Sequence, residues 1–336
     1  MKPAGSTAPA AARPLHYLRV GLTILVCLLA WAWLLRHAQL DALAAQAARL
    51  PAWAWFAAGA ALLAGHALRA VRLQRDWRHV AHVHWWDCLR LVLTHNAMVL
   101  MLPLRAGEAA YLLAVRRRWG VGWGAAGVAL LRWRLQDVAV LGILAVLLLL
   151  PLPAWQRAVG ALLAAAALHF LLPPVWRWLA ARAGAAGGAA PGSAGGVASG
   201  PADAALGRTA GGAARSAVGE VADPWKGLAA SVGNWTLKVL ANGSLLAMLA
   251  GLPLQAAWRA ALGGELAGVQ PLQPPVGLGV YEGGVWLAAG APPEAVGSVV
   301  SAALAVHAFS LAVALGAAAL AQLGLPRSTV REESPS

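Results

Sequence analysis

"MLPLRAGEAAY", residues 101–111, sets Arg105 and Glu108 in a chain that is otherwise apolar for long distances. Two opposite charges around a glycine, just after Pro103, are expensive at bilayer depth: a central Arg or Asp carries a penalty of roughly 2.5–3.5 kcal/mol on insertion scales. The stretch closes a longer run, Cys88 to Glu108, that is followed by "RRR", Arg116 to Arg118. The run is also preceded by arginines, so both of its flanks are basic. A single crossing would leave one positive flank outside. A re-entrant hairpin that enters from the cytoplasm and returns satisfies both, because irregular backbone is tolerated at membrane depth when it is buried in protein or lines a wet cavity.

Composition places the chain in the same class. Of 336 residues, 60% are hydrophobic and 12% charged, against about 25% charged in soluble domains; mean hydropathy is +0.64. The net charge of +13 does not point to nucleic acid, because the basic residues punctuate the ends of apolar runs, as cytoplasmic loops facing anionic lipid do. Tryptophan outnumbers phenylalanine 17 to 3, which favours membrane–water interfaces. Cys27 and Cys88 match no metal or redox spacing.

Working outward, Val20 to Leu35 reads as a retained first span behind a cytoplasmic tail (1–19), and Pro51 to Leu68 as the second. The latter ends in "RAVRLQRDWRH", whose Arg69, Arg72, Arg75 and Arg78 form the strongest positive-inside signal and place the N-terminus in the cytoplasm. Gly127 to Leu150 and Ala154 to Leu172 complete a first membrane half (20–180) around the hairpin near 88–108. Residues 181–223 are rich in glycine, alanine and serine and read as a flexible cytoplasmic linker. A second half (224–323) holds spans at Leu228 to Leu249 and Glu294 to Leu323, flanking a proline- and glycine-broken segment near 254–290; a tail, 324–336, follows in the cytoplasm. The first hairpin ends "PLRAGE" and the second "PPVGLGVYE", each joining proline, glycine and glutamate. Paired interrupted segments in corresponding halves point to a transporter site. The fold expected is an all-α integral membrane protein of about six transmembrane helices and two re-entrant helical hairpins, with the halves related as an inverted repeat.

Embedded charges mark the candidate site, since an ionisable group at this depth is a functional hypothesis by default. Arg134 and Asp137 share a helix face at i, i+3 and are expected to pair, with Asp137 about 15 Å along its span; Arg132 is expected to snorkel to the interface. Lys238, Glu265, Glu282 and His307 are embedded in the second half. His95 and Asn96 read as hydrogen-bonding core residues. The histidines of "RHVAHVHWWD" (His79, His82 and His84) sit in a basic loop that disfavours a cation. No nucleotide, metal or nucleophile constellation is read, so no cofactor, metal or catalytic residue is expected.

"LPLRAGE", then "RLQD" on the next span, then "PVGLGVYE" resemble, in that order, motifs of the lysylphosphatidylglycerol synthase transmembrane-region family, the flippase-like membrane proteins. The matching positions are Pro103, Arg105, Gly107 and Glu108; Arg134 and Asp137; Pro275, Gly277, Gly279 and Glu282. Departures are Tyr111 and Trp133, Val276 where a glycine is usual, and His307 where an arginine is common. The resemblance implies a bacterial inner-membrane protein that handles a membrane phospholipid or lipid-linked substrate. The soluble aminoacyl transferase domain of bifunctional members is absent from the chain as it runs to Ser336, so lysyl transfer is not expected. The leading expectation is translocation of a lipid or lipid-linked headgroup, with Arg105, Arg134 and Lys238 meeting anionic oxygens and Glu108, Asp137, Glu265 and Glu282 balancing them. The alternatives are an accessory membrane subunit partnering a lipid- or polysaccharide-modifying enzyme, and a membrane enzyme using Glu108 or Glu282 as acid or base.

Overall fold

The computed structural model describes residues 25, 28–78, 83–102, 107–188, 225, 227–270 and 274–324. Among these there is no strand. The helices are α1 (residues 28–37), α2 (Leu40–Arg49), α3 (Ala52–Trp77), α4 (Trp85–Met101), α5 (Gly107–Trp119), α6 (Trp123–Leu149), α7 (Ala154–Gly188), α8 (Leu228–Ala250), α9 (Leu254–Gly268), α10 (Val280–Ala289) and α11 (Val296–Gly324). Short 3-10 turns at Pro275–Gly277 and Pro293–Ala295 lead into the last two. Helix α7 carries the beginning of the glycine- and alanine-rich stretch as far as Gly188. Pro103, Arg105 and the remainder of the linker lie outside the described residues.

Among the described residues, three helices are long and apolar enough to cross a membrane: Ala52–Trp77, Ala154–Val175 and Pro293–Leu323. The surface carries many large apolar side chains, and the apolar core encloses a set of polar ones. Phe56, Phe170, Leu287 and Leu323 are exposed, while Asp76, Gln136, Asn242 and Glu282 are fully buried. Water would not tolerate that surface, whereas lipid does, and together with the three apolar helices it marks the chain as a membrane protein. Helices α6 and α8 have 27 and 23 residues, enough for about 30 Å of hydrocarbon at 1.5 Å per residue. Their apolar average is lowered by polar side chains that they turn inward.

Helices α4 and α5 form an antiparallel pair: Asp87 meets Arg118 at the open end, and His95 Nδ1 lies 3.2 Å from the Gly107 carbonyl oxygen near the closed end. There, a Cβ on Gly107 would lie 2.7 Å from the Met98 carbonyl oxygen, so only glycine lets the arms approach. Glu108 occupies the first turn of α5 and Arg116 to Arg118 the last, both favourable for the helix dipole. Helices α9 and α10 form a second such pair, in which Arg259 reaches the Ala289 carbonyl and Gly263 abuts Gly284 and Ala288. The two pairs open at opposite ends of α3.

At the centre, α3 and α8 run antiparallel, with Gly65 against Asn234 and Gly233 against Leu68. Around them the contacts recur. Helix α3 packs on α4 as α8 packs on α9; α5 adjoins α6 as α10 adjoins α11. Crossing between halves, α4 packs on α11 as α9 packs on α6, and α3 on α11 as α8 on α6. Even the peripheral helices obey the exchange, since α2 lies on α11 and α7 on α6.

Candidate functional site

Helix α3 presents one inward stripe: His66, Arg69, Arg72 and Asp76, spaced three or four residues apart and therefore on one face. Arg72 and Asp76 are buried. This corrects the reading of Arg69 and Arg72 as arginines of a basic cytoplasmic flank. The helix continues to Trp77, which turns both guanidinium groups toward α6 and α8. Arg72 lies 3.3 Å from Asp137 Oδ1, donates to Ser231 Oγ at 2.6 Å and to Gln136 Oε1, and rests 4.9 Å over the Trp133 ring. Ser231 in turn donates to Asp137 at 2.8 Å. One network thus joins α3, α6 and α8. Gly227, which starts α8 with φ +86°, is held there by that same arginine: a Cβ would lie 2.6 Å from Arg72 Cγ.

The expected pairing of Arg134 with Asp137 is not what forms. Arg134 Nη2 binds Glu108 Oε1 at 2.8 Å, joining α6 to α5, while Asp137 is taken by Arg72 and, at 3.7 Å, by Arg69. Both share a helix face as expected, but each finds a partner on a neighbouring helix. Arg132 does not snorkel either; it is buried against Asp76, whose other oxygen accepts from Trp133 Nε1 at 2.7 Å.

In the second half, Lys238 on α8 donates to Glu265 Oε2 on α9 at 2.6 Å, and Asn242 Nδ2 donates to Oε1 at 3.2 Å. Ser310 on α11 donates to Asn242 Oδ1 at 3.1 Å. Glu282 opens α10: its Oε2 accepts from the Gly279 N–H at 2.6 Å, while Oε1 meets His307 Nδ1 at 2.7 Å. The turn before it has Val276 at φ 54°, Gly277 at 74° and Gly279 at 84°. The valine that stands where the resembled family has glycine therefore occupies left-handed backbone, which strains a β-branched residue.

These contacts come in matching pairs. Arg69 donates to Asn96 at 3.4 Å, from α3 to α4, as Lys238 donates to Glu265 from α8 to α9; both pairs are separated by 27 residues. Arg134 on α6 holds Glu108 at the start of α5, as His307 on α11 holds Glu282 at the start of α10. All four meet around a cavity of about 150 Å³ between the halves, lined among others by Arg69, Asn96, Arg134, Lys238, Glu265 and His307. Of the expected residues, Arg134, Lys238, Glu265 and Gly277 reach the wall. Asp137, Glu108 and Glu282 stand behind it as partners of wall residues, with Pro275 and Gly279 in the turn that carries Glu282. His66, Arg69 and Trp235 are wall residues that sequence reasoning missed, and His95 and Asn96, read as core, also reach it. The three- and four-residue spacing of His66, Arg69, Arg72 and Asp76 was the available signal.

The cavity presents three basic side chains, Arg69, Arg134 and Lys238, against one carboxylate, Glu265. The chain matches no family model, no curated protein and no solved structure.

Proposed function

We propose that the protein is a flippase-like translocase of a lipid or lipid-linked headgroup, akin to the membrane region of lysylphosphatidylglycerol synthases, working in a bacterial inner membrane with both termini in the cytoplasm. In this reading six spans (the first apolar run, α3, α6, α7, α8 and α11) surround two re-entrant hairpins, α4–α5 and α9–α10, related as an inverted repeat. Arm length supports the hairpins. Helices α5 and α10 have 13 and 10 residues, about 20 and 15 Å, too short for about 30 Å of hydrocarbon. The recurrence of helix contacts and the antiparallel α3–α8 crossing support the repeat.

The observation that carries the function is the cation-lined cavity at the junction of the halves, bounded by the same two polar contacts from each. Broken segments meeting at the interface of inverted halves are where such carriers bind their cargo. The bounding pairs differ in exposure: Arg134 and Glu108 are 25% and 27% exposed, His307 and Glu282 9% and 0%. In this reading the two sides of the cavity differ in access, and rocking of one half against the other exchanges them. With no nucleotide motif in the sequence, a gradient or the lipid's own distribution drives the movement.

The test uses proteoliposomes with headgroup-labelled phospholipids and an impermeant quencher. Wild-type protein is expected to expose inner-leaflet label, and Arg134→Gln or Glu265→Gln to slow this at least about tenfold, the effect of losing one charge-assisted bond, with the folded fraction retained. Unchanged rates in both variants, or no movement of any lipid by wild type, refute the reading. A second reading, an accessory subunit beside a lipid- or polysaccharide-modifying enzyme, is favoured by the Arg132–Asp76–Trp133 cluster, which braces α3 to α6 outside the cavity. It predicts no lipid movement by the isolated chain.

A further inference from the structure

The donors and acceptors on the cavity wall are unequal. Four of its acceptor oxygens are engaged: both Glu265 oxygens receive Lys238 and Asn242, Asn96 Oδ1 receives Arg69, and Asn242 Oδ1 receives Ser310. Some of its donors are not. The indole N–H of Trp235, a residue 5% exposed, has no hydrogen-bond partner among the described residues, and neither has Arg134 Nε or His66 Nδ1. Lys238, an ammonium with three N–H groups, makes one hydrogen bond there, to Glu265, and lies 5.4 Å over the Trp235 ring.

Trp235 and His66 are equivalent positions on α8 and α3. Each stands three residues before the cation that bonds across to the hairpin, Lys238 and Arg69 respectively. Unmatched polar groups thus come from both halves onto one wall, with Trp235 Nε1 and Arg134 Nε as donors and His66 Nδ1 a donor in its Nδ1–H tautomer. A buried polar group left unmatched is costly, and three of them beside fixed cations call for a ligand rich in acceptor oxygens. A cavity of about 150 Å³ is ten times the ~10–15 Å³ that holds one water, room for a tetrahedral oxyanion and the first atoms esterified to it.

From this wall we infer that the cavity binds a phosphate group, gripped by Arg69, Lys238 and Arg134 and oriented by Trp235 and His66. The assignment deepens the translocase reading and rests on the cavity being its transport site. Guanidinium groups match phosphate oxygens bidentately, whereas an ammonium headgroup would find three cations and a carboxylate already bridged. Both a phospholipid's phosphodiester and free inorganic phosphate carry this chemistry.

Calorimetric titration of the full chain in neutral detergent separates these sources. The titrants are short-chain phosphatidylglycerol, inorganic phosphate, and a diacyl trimethylammonium lipid that lacks phosphate. Binding of phosphatidylglycerol assigns the lipid phosphate. Binding of inorganic phosphate alone keeps the oxyanion site and refutes the lipid translocase. Lys238→Gln is expected to weaken phosphate binding about 10- to 100-fold and Lys238→Arg to restore it. Trp235→Phe, which keeps an aromatic ring and removes one donor, should weaken it about three- to tenfold. The inference is overturned if the ammonium lipid binds as tightly as the phosphate titrants. It is also overturned if Lys238→Gln and Trp235→Phe both leave affinity within about twofold, or if no phosphate titrant binds. In proteoliposomes, movement of the ammonium lipid at the phospholipid rate overturns the phosphate site and leaves the translocase standing.

Discussion

Replacing Arg72 with methionine tests whether the network around Asp137 staples the two halves together. The variant keeps most of the apolar stem but removes an ion pair at 3.3 Å, the bond to Ser231 at 2.6 Å and the bond to Gln136. Taking one partner from a buried pair costs about 3–5 kcal/mol, chiefly because the other charge is stranded. Asp137 would keep Ser231 at 2.8 Å and Arg69 at 3.7 Å, which places the loss near the lower end, about 3 kcal/mol. At roughly 2–4 °C per kcal/mol for chains of a few hundred residues, the midpoint should fall by about 6–12 °C. Cys88 is fully buried and serves as the reporter: in a Cys27→Ser background, a thiol-reactive dye follows its exposure on heating. Adding Asp137→Asn removes the stranded charge and retains an acceptor for Ser231. The double variant should therefore recover to within about 1.5 kcal/mol of the parent, a coupling typical of contacting residues. A single variant within about 1 kcal/mol of the parent, or a second substitution that only adds to the loss, refutes the reasoning.

Val276→Gly should stabilise the protein by about 0.5–1 kcal/mol, because left-handed backbone costs a non-glycine residue about 1–2 kcal/mol and glycine's extra unfolded-state freedom returns about 0.5–1; the same dye assay reads it. Gly284→Leu should destabilise by at least the roughly 1–3 kcal/mol of an overpacked core, since a Cβ there already lies 2.7 Å from Ala267 Cβ, and protease cutting between α9 and α10 should rise. Leu102→Cys, at the closed end of the α4–α5 pair, should stay unlabelled by an impermeant maleimide applied to the outer face, while a cysteine at Arg49 reacts. Labelling of both from outside would make α4 a crossing helix and remove the first re-entrant hairpin.

The helix breaks were legible because proline and glycine act locally. Helix α4 stops at Met101 and α5 starts at Gly107, and α9 and α10 are parted by residues 269–279, where the sequence interrupts its apolar runs. Partner choice was not legible. Arg134 and Asp137 lie on one face of α6, yet each bonds to another helix, because the choice depends on what α3, α5 and α8 bring within reach. The burial of Arg69 and Arg72 is hidden in the sequence for a related reason. A basic flank and an inward arginine stripe have the same composition, and only the three-residue spacing back to His66 and onward to Asp76 separates them. His307 was legible as an embedded ionisable residue, but its bond to Glu282 came from tertiary structure.

The matched contacts of the two halves are equal in position but not in charge. Where the second half sets Glu265 against Lys238, the first sets neutral Asn96 against Arg69, and Arg69 leans instead on Asp137 at 3.7 Å. A ligand that draws Lys238 away loosens the second hairpin alone. One that draws Arg69 away also unburdens Asp137, and so loosens the clasp holding α3, α6 and α8. In the proposed translocase one cargo would thus release different parts of the molecule from its two sides, which gives the paired contacts an inherent direction.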